Sequence, residues 1–209
     1  DVSTIDLEVL SFRRLANQVF RVFGGLSFND LNEGGRLLIM WRALREASAF
    51  LKVYNNVDDK NTSFAELMLS TVDELKQFAV TPVMLENAAD KLQSKYKSLS
   101  DKLYDISFIY ATFQAFLSKE YNDPSDELTR LADTLENNCF FDSYNVYIDS
   151  FDSFTPQQYK IINRIAEQAE NISFSLCYDP EDDSGIFGTT EITYNNIKKI
   201  ADRYNAEVS

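Results

Sequence analysis

Histidine does not occur in the 209 residues, and with it goes the side chain that most often serves as a general base near neutral pH. Any acid–base chemistry would rest on carboxylates, lysine or tyrosine. Cysteine is nearly as scarce. Cys139 and Cys177 cannot make a four-ligand zinc site in a chain without histidine. They leave one disulfide of a secreted domain or two separate thiols in a reducing compartment, the second being the plainer reading. No stretch approaches the ~18 apolar residues that cross a bilayer, and no basic segment followed by an apolar one opens the chain as a secretory signal would. A cytoplasmic location and no membrane partner are expected. The first residue is Asp1 rather than Met, which is expected of a segment of a longer protein. Nowhere does Gly-x-x-x-x-Gly-Lys-[Ser/Thr] occur, so the backbone cradle and lysine that hold nucleotide phosphates are missing.

What is present argues for a folded core. Apolar residues make up 44% of the chain, with 16 Phe and 11 Tyr, which excludes a disordered composition. The net charge of −13 argues against a freestanding nucleic-acid binder. Its distribution is uneven. Residues 1–56 hold seven Lys/Arg against six Asp/Glu, and residues 57–209 hold 13 against 27. Arg13, Arg14, Arg21, Arg36, Arg42 and Arg45 are all in the first 45 residues. Arginine suits bidentate phosphate contact; solvated helix faces are the blander reading.

The hydrophobic period changes along the chain. Residues 5–12 alternate and then run apolar, as a strand entering a sheet does. From Phe12 the spacing of Leu15, Val19 and Phe23 is helical, and Gly24-Gly25 ends that helix. Residues 29–137 read as all helix. Leu37, Met40, Trp41, Leu44, Ala47 and Leu51 mark one apolar face, with Trp41 a core residue. Asn55 to Thr62 is a polar linker. Ser63 with Glu66 reads as a capping box, Thr81-Pro82 as a helix start, and Leu103, Ile106, Tyr110, Phe113 and Leu117 as one long helix. Asp123-Pro124 starts another, to about Leu135. From Asn138 the pattern is strand (145–149), helix (Thr155 to about Glu170, with Pro156 in its first turn), strand (172–178) and helix (193–204). The acidic loop 181–185 precedes the last helix. That alternation implies parallel strands, hence an α/β fold in which an all-helical block interrupts a parallel sheet.

Three expected strand ends carry the polar residues that chemistry would need: Ser11-Phe12-Arg13-Arg14, Asp149-Ser150-Phe151-Asp152, and Asp179-Pro180-Glu181-Asp182. Ligands of open α/β sheets bind beyond such ends, and an Asp there can hold the Mg²⁺ that bridges nucleotide phosphates. Asp and Pro also simply terminate strands.

In chain order the three segments resemble motifs Ia, II and III of superfamily 1 helicases of the UvrD type. Val9-Leu-Ser-Phe-Arg-Arg-Leu-Ala16 is similar to motif Ia, Ile148-Asp-Ser-Phe-Asp152 to motif II, and Cys177-Tyr-Asp-Pro-Glu-Asp182 to motif III. The run Tyr147-Ile-Asp-Ser-Phe-Asp-Ser-Phe-Thr-Pro-Gln-Gln158 is more specific. With Phe23-Gly-Gly-Leu26 and Lys102-Leu-Tyr-Asp-Ile-Ser-Phe-Ile-Tyr110, it resembles the AddB (RexB) subunits of bacterial helicase–nucleases, over nearly the whole chain.

The resemblance implies a partial RecA-like parallel sheet with a large all-helical insertion. Residues 1–24 and 138–209 would be an incomplete motor domain of the 1A type, and 25–137 a 1B-like insertion. It implies an AddA-type partner subunit and contact with single- and double-stranded DNA through the full complex. ATP, Mg²⁺ and an iron–sulfur cluster would belong to the parent, with no cofactor held by this segment. By position, Ser11, Phe12, Arg13 and Arg14 would touch the DNA strand, Phe12 by stacking on a base unless it packs in the core. Asp149, Ser150 and Asp152 form a degenerate motif II, with Ser150 where the family has the Glu that positions water. Asp179 and Asp182 form a degenerate motif III. No catalytic or metal-ligating residue is expected, and the motor is expected to be inactive. Two other readings stand beside this one: a purely protein-interaction module docking through residues 29–137, and a carboxylate metal enzyme using Asp149, Asp152 and Asp179.

Overall fold

Ser11 accepts a hydrogen bond from the Arg14 amide (3.3 Å) and so caps the first helix, α1 (Phe12–Phe23). Gly24 ends it with a φ of +86°, a conformation that costs glycine little. The structure, a computed structural model, describes residues 7–26, 31–55, 62–181, 184–204 and 206. The helices that follow are α2 (Glu33–Ala47), α3 (Thr62–Gln77), α4 (Pro82–Leu92), α5 (Lys97–Glu120) and α6 (Glu127–Glu136). A short 3-10 turn over Pro124–Asp126 precedes α6. Then come β1 (Asn145–Ile148), α7 (Pro156–Gln168), β2 (Asn171–Phe174) and α8 (Gly188–Arg203). The fold is mostly helical, with one small parallel sheet.

The chain divides into two compact units, a helical unit of residues 27–126 and a sheet unit of residues 1–26 and 127–209. In the helical unit α5 is the spine. Asp105, Ile109, Phe113 and Leu117 recur every four residues, share one face, and are all buried. Ile109, Phe113 and Leu117 pack with Met40, Ala43 and Ala47 of α2, Met68 and Val72 of α3, and Leu85 of α4. Trp41 lies half-buried against the same core. Thr81 caps α4 as expected, accepting from the Met84 amide at 3.3 Å. Ser63 does not cap α3, because that helix already begins at Thr62 and Ser63 lies inside it. Most of the expected polar linker, residues 56–61, lies outside the described residues.

In the sheet unit α1 and α7 sandwich α6. Leu15, Ala16 and Val19 meet Leu131, Leu135, Ile161 and Ile165 in one apolar cluster. β1 and β2 run parallel, with Val146 opposite Ile172 and Ile148 opposite Phe174. Those four residues face the core, while Asn145, Tyr147, Asn171 and Ser173 line the exposed face. Gln168 fastens the chain before β1. Its amide nitrogen donates to the carbonyls of Leu135 (2.6 Å) and Asn138 (3.0 Å), and its oxygen accepts from the Phe140 (3.1 Å) and Phe141 (3.4 Å) amides.

Two expected strands are corrected. Residues 7–11 are not a strand: Leu7, Val9 and Leu10 are exposed, and among the described residues β1 pairs only with β2. An isolated extended segment gains nothing from its alternation until a neighbour satisfies its backbone. The strand expected over 172–178 ends at Phe174. The Ser175 amide still bonds the Ile148 carbonyl (3.0 Å), but β1 supplies no further partner beyond its own end. The last helix starts at Gly188, five residues before the expected Thr193.

Candidate functional site

The sheet unit has a groove of about 700 Å³ beside β1. One wall is Leu7 to Phe12 with Leu15 and Gln18, and the other runs from Phe140 through Tyr144 to Phe151. The structure thus brings Ser11 and Phe12 to the same groove as Asp149 and Ser150. The loop wall is fastened to α1 by Gln18 Nε2, which donates to Glu8 Oε2 at 2.5 Å. Gln18 Oε1 is shielded from solvent and has no hydrogen-bond partner among the described residues.

The expected site residues fall into different settings. The Ser11 hydroxyl is engaged as the α1 cap. Phe12 is half-buried, with its ring edge-on to Phe151 (centroids 5.6 Å) and Phe154 (6.5 Å). Its position favours core packing, though its edge still lines the groove. Arg13 projects from α1 with its side chain 74% exposed, and Nε lies 3.3 Å from Glu127 Oε2. An ion pair so exposed contributes ~0–1 kcal/mol and leaves the guanidinium available. Arg14 is exposed.

At the tip of β1, Ile148 is buried, and Asp149 and Ser150 are exposed. Ser150 has a φ of +66°, a left-handed conformation rare for a residue with a Cβ. The turn it makes sends Phe151 back into the core, against Phe154 (5.0 Å). Asp152 is exposed, and its carbonyl accepts from Thr193 Oγ1 at 2.9 Å, which ties the loop to α8.

Asp179 is not a lining residue of the groove. It sits in a turn five residues beyond the end of β2, its carboxylate accepting from the Glu181 amide (3.0 Å). Nearby, Tyr178 leans against Tyr194 (5.4 Å), and desolvation, then Glu191, Tyr194 and Asp179, hold its phenol above the ordinary value. Asp182 lies outside the described residues. The expected alignment of three strand tips is therefore corrected: Ser11 caps a helix, Asp149 follows a strand directly, and Asp179 follows a turn. Among the described residues no group of three or more Cys, Asp or Glu could hold a metal ion, and no helix is long and apolar enough to cross a membrane.

Sequence reasoning missed the aromatic wall of the groove, Phe140, Tyr144 and Tyr147, and the positive φ of Ser150. The apolar alternation of Asn145 to Ile148 signals that Tyr147 faces away from Val146 and Ile148. Only tertiary contacts reveal that its face is uncovered.

Residues 2–209 match the family model described as ADDB, N-terminal. The chain is 35% identical over 199 residues to the B-type subunit of an ATP-dependent helicase/deoxyribonuclease of Caldanaerobacter subterraneus subsp. tengcongensis, a match that covers 93% of this chain and 17% of that protein. Proteins of the same description from Clostridioides difficile (32% over 207 residues) and Clostridium kluyveri (34% over 208 residues) match over 97% of this chain and 18% of their own length. The chain thus spans less than a fifth of these relatives.

Proposed function

Because this chain belongs to the ADDB N-terminal family, we propose that it is the opening part of the B-type subunit of a helicase–nuclease that resects DNA breaks for recombinational repair. In this reading the sheet unit is an incomplete RecA-like motor domain of the 1A type, and the helical unit is its 1B-like insertion, ending at Asp126 rather than at the expected 137, so that α6 goes with the motor domain. The motor is inactive and serves as a scaffold that helps hold single-stranded DNA and an AddA-type partner subunit. In the longer protein, further strands complete the open edges of the β1–β2 pair, since two strands alone are marginal.

The observation that carries the reading is the groove, which gathers the motif Ia-like Ser11-Phe12 and the motif II-like Asp149-Ser150-Phe151 along β1. Its donor set does not fit a nucleotide. Asp149 stands at the strand tip with no metal-holding group of three or more acids among the described residues, Ser150 has no carboxylate to activate water, and the chain has no phosphate-binding loop. The groove does suit a strand of bases. Tyr144 and Tyr147 offer exposed rings, and Arg13 and Arg14 are exposed on α1, though neither is a lining residue of the groove. Base–aromatic stacking contributes about 1–3 kcal/mol per base.

Fluorescence anisotropy with a labelled oligodeoxynucleotide tests this. Weak binding by the 209-residue chain at low salt is expected, falling at least roughly threefold in Arg13→Ala/Arg14→Ala and declining as salt rises. Binding that ignores both the substitutions and the salt would remove the DNA role.

A second reading, docking of a protein partner on the helical unit, is favoured by its exposed apolar side chains, among them Leu38, Phe78 and Val83. Loss of AddA-type subunit capture on Phe78→Ser/Val83→Ser, with DNA binding intact, would favour it.

A further inference from the structure

Arg36 stands in the first turns of α2, four residues beyond its cap Asn32, and Asp123 to Asp126 are the last residues of the helical unit. Between them α3 supplies Asp73 and Lys76. Arg36 donates through Nη1 to Asp73 Oδ2 (2.9 Å) and through Nη2 to Asp73 Oδ1 and to Ser125 Oγ (2.7 Å). Its Nε lies 2.9 Å from Asp123 Oδ1, in ion-pair contact without the alignment of a hydrogen bond. Lys76 Nζ bridges Asp123 Oδ2 (2.7 Å) and Asp126 Oδ2 (2.8 Å). Ser125 Oγ lies 2.6 Å from Asp73 Oδ1 and 2.9 Å from Asp123 Oδ1, so its single proton serves one of them at a time. The side chains of Lys76 and Asp123 are only 2% and 1% exposed. Two cations thus face three carboxylates, with the phenol of Tyr110 from α5 close enough to feel all three acids.

Burying charges is costly, and such a set persists only while every member keeps its partners. The segment Tyr121–Asp126 contributes no side chain to the apolar core of the unit, so polar contacts fasten it. We propose that Arg36, Asp73, Lys76, Asp123, Ser125 and Asp126 form an electrostatic clasp that joins the start of the inserted helical unit to its end, so that both ends open and close as one. An inserted domain leaves and rejoins its host at two points. The clasp ties the first helix of the unit to its last residues, and its burial shields it from added salt.

Hydrogen exchange on the whole 209-residue chain tests this with Lys76→Met, which alters neither end of the unit and nearly keeps the side-chain volume. The expected result is a parallel loss of protection, roughly tenfold or more, at residues 36–40 and at 121–126. Protection in α7 and in the middle of α5 stays at its original level. Loosening at one end alone, no loosening, or uniform loss across the helical unit would overturn the clasp. Should Lys76→Met unfold the unit outright, Ser125→Ala, which removes one hydroxyl, decides on the same criterion with a smaller amplitude.

Discussion

A single carboxylate shows how much one residue decides. Asp105 is fully buried, yet its oxygens accept from the amides of Lys52 (2.8 Å), Val53 (2.7 Å) and Tyr54 (3.0 Å) and hold the chain after α2 against α5. Asp105→Ala leaves three backbone donors without a partner and is expected to cost roughly 3 kcal/mol. Trp41, the one tryptophan, sits in the helical unit, so its fluorescence during denaturant unfolding reads this loss directly. Asp101→Asn, which removes only a partly exposed 3.4 Å pair with Lys52, should cost under ~0.5 kcal/mol. The sequence marks Asp105 only as a charge on the apolar face of a helix. That its partners are backbone groups 51 to 53 positions earlier is invisible to periodicity. Phe12 teaches the same lesson at the groove: its residue type admits base stacking, but its ring already meets Phe151 and Phe154.

At the level of elements, helix ends were legible where local chemistry determines them. Thr155 and Gln158 form a complete capping box at the start of α7, and Pro156 stands in its first turn. Thr155→Ala should therefore destabilise by about 1 kcal/mol. Amides of α7 would exchange about fivefold faster, while the Trp41 unfolding midpoint stays put. Strands were less legible. Residues 7–11 alternate as well as Asn145 to Ile148 do, but β1 has β2 beside it and the earlier segment has no partner strand among the described residues. A helix satisfies its own backbone, whereas a strand depends on a neighbour that can lie far away in sequence. Ser63 failed as a cap because α3 already begins at Thr62 and takes Ser63 into the helix.

At the level of the whole molecule, the charge balance acts through a few buried groups. Burial alone would raise the Asp123 carboxyl, but Lys76, Arg36 and the Ser125 amide overcome that and hold it below the usual carboxylate range. A carboxylate depressed in the folded state adds stability above its unfolded value, near pH 4, and loses it as pH falls through the folded value. The Trp41 unfolding midpoint should thus be flat from about pH 7 to about pH 5 and drop below about pH 4. In Lys76→Met burial is less opposed and the Asp123 carboxyl is less depressed, so the variant starts from a lower midpoint and its further drop in acid should be smaller. An unchanged acid limb in that variant would show that the cluster does not govern the acid stability of the helical unit. Tyr110 adds nothing in this range, because burial and the three acids push its phenol up to about 12.

The sequence by itself determined the helices, the caps of α4 and α7, the parallel β–α–β pattern near the end and the family, because each is written in neighbouring residues or in a contiguous run such as Tyr147 to Gln158. Only the tertiary structure decided that Ser11 and Asp149 share a groove, that Asp179 stands apart from it, and that Arg36 meets Asp123 across 87 positions. Those outcomes depend on which surfaces are buried against each other, and burial is a property of the packed chain rather than of any local stretch.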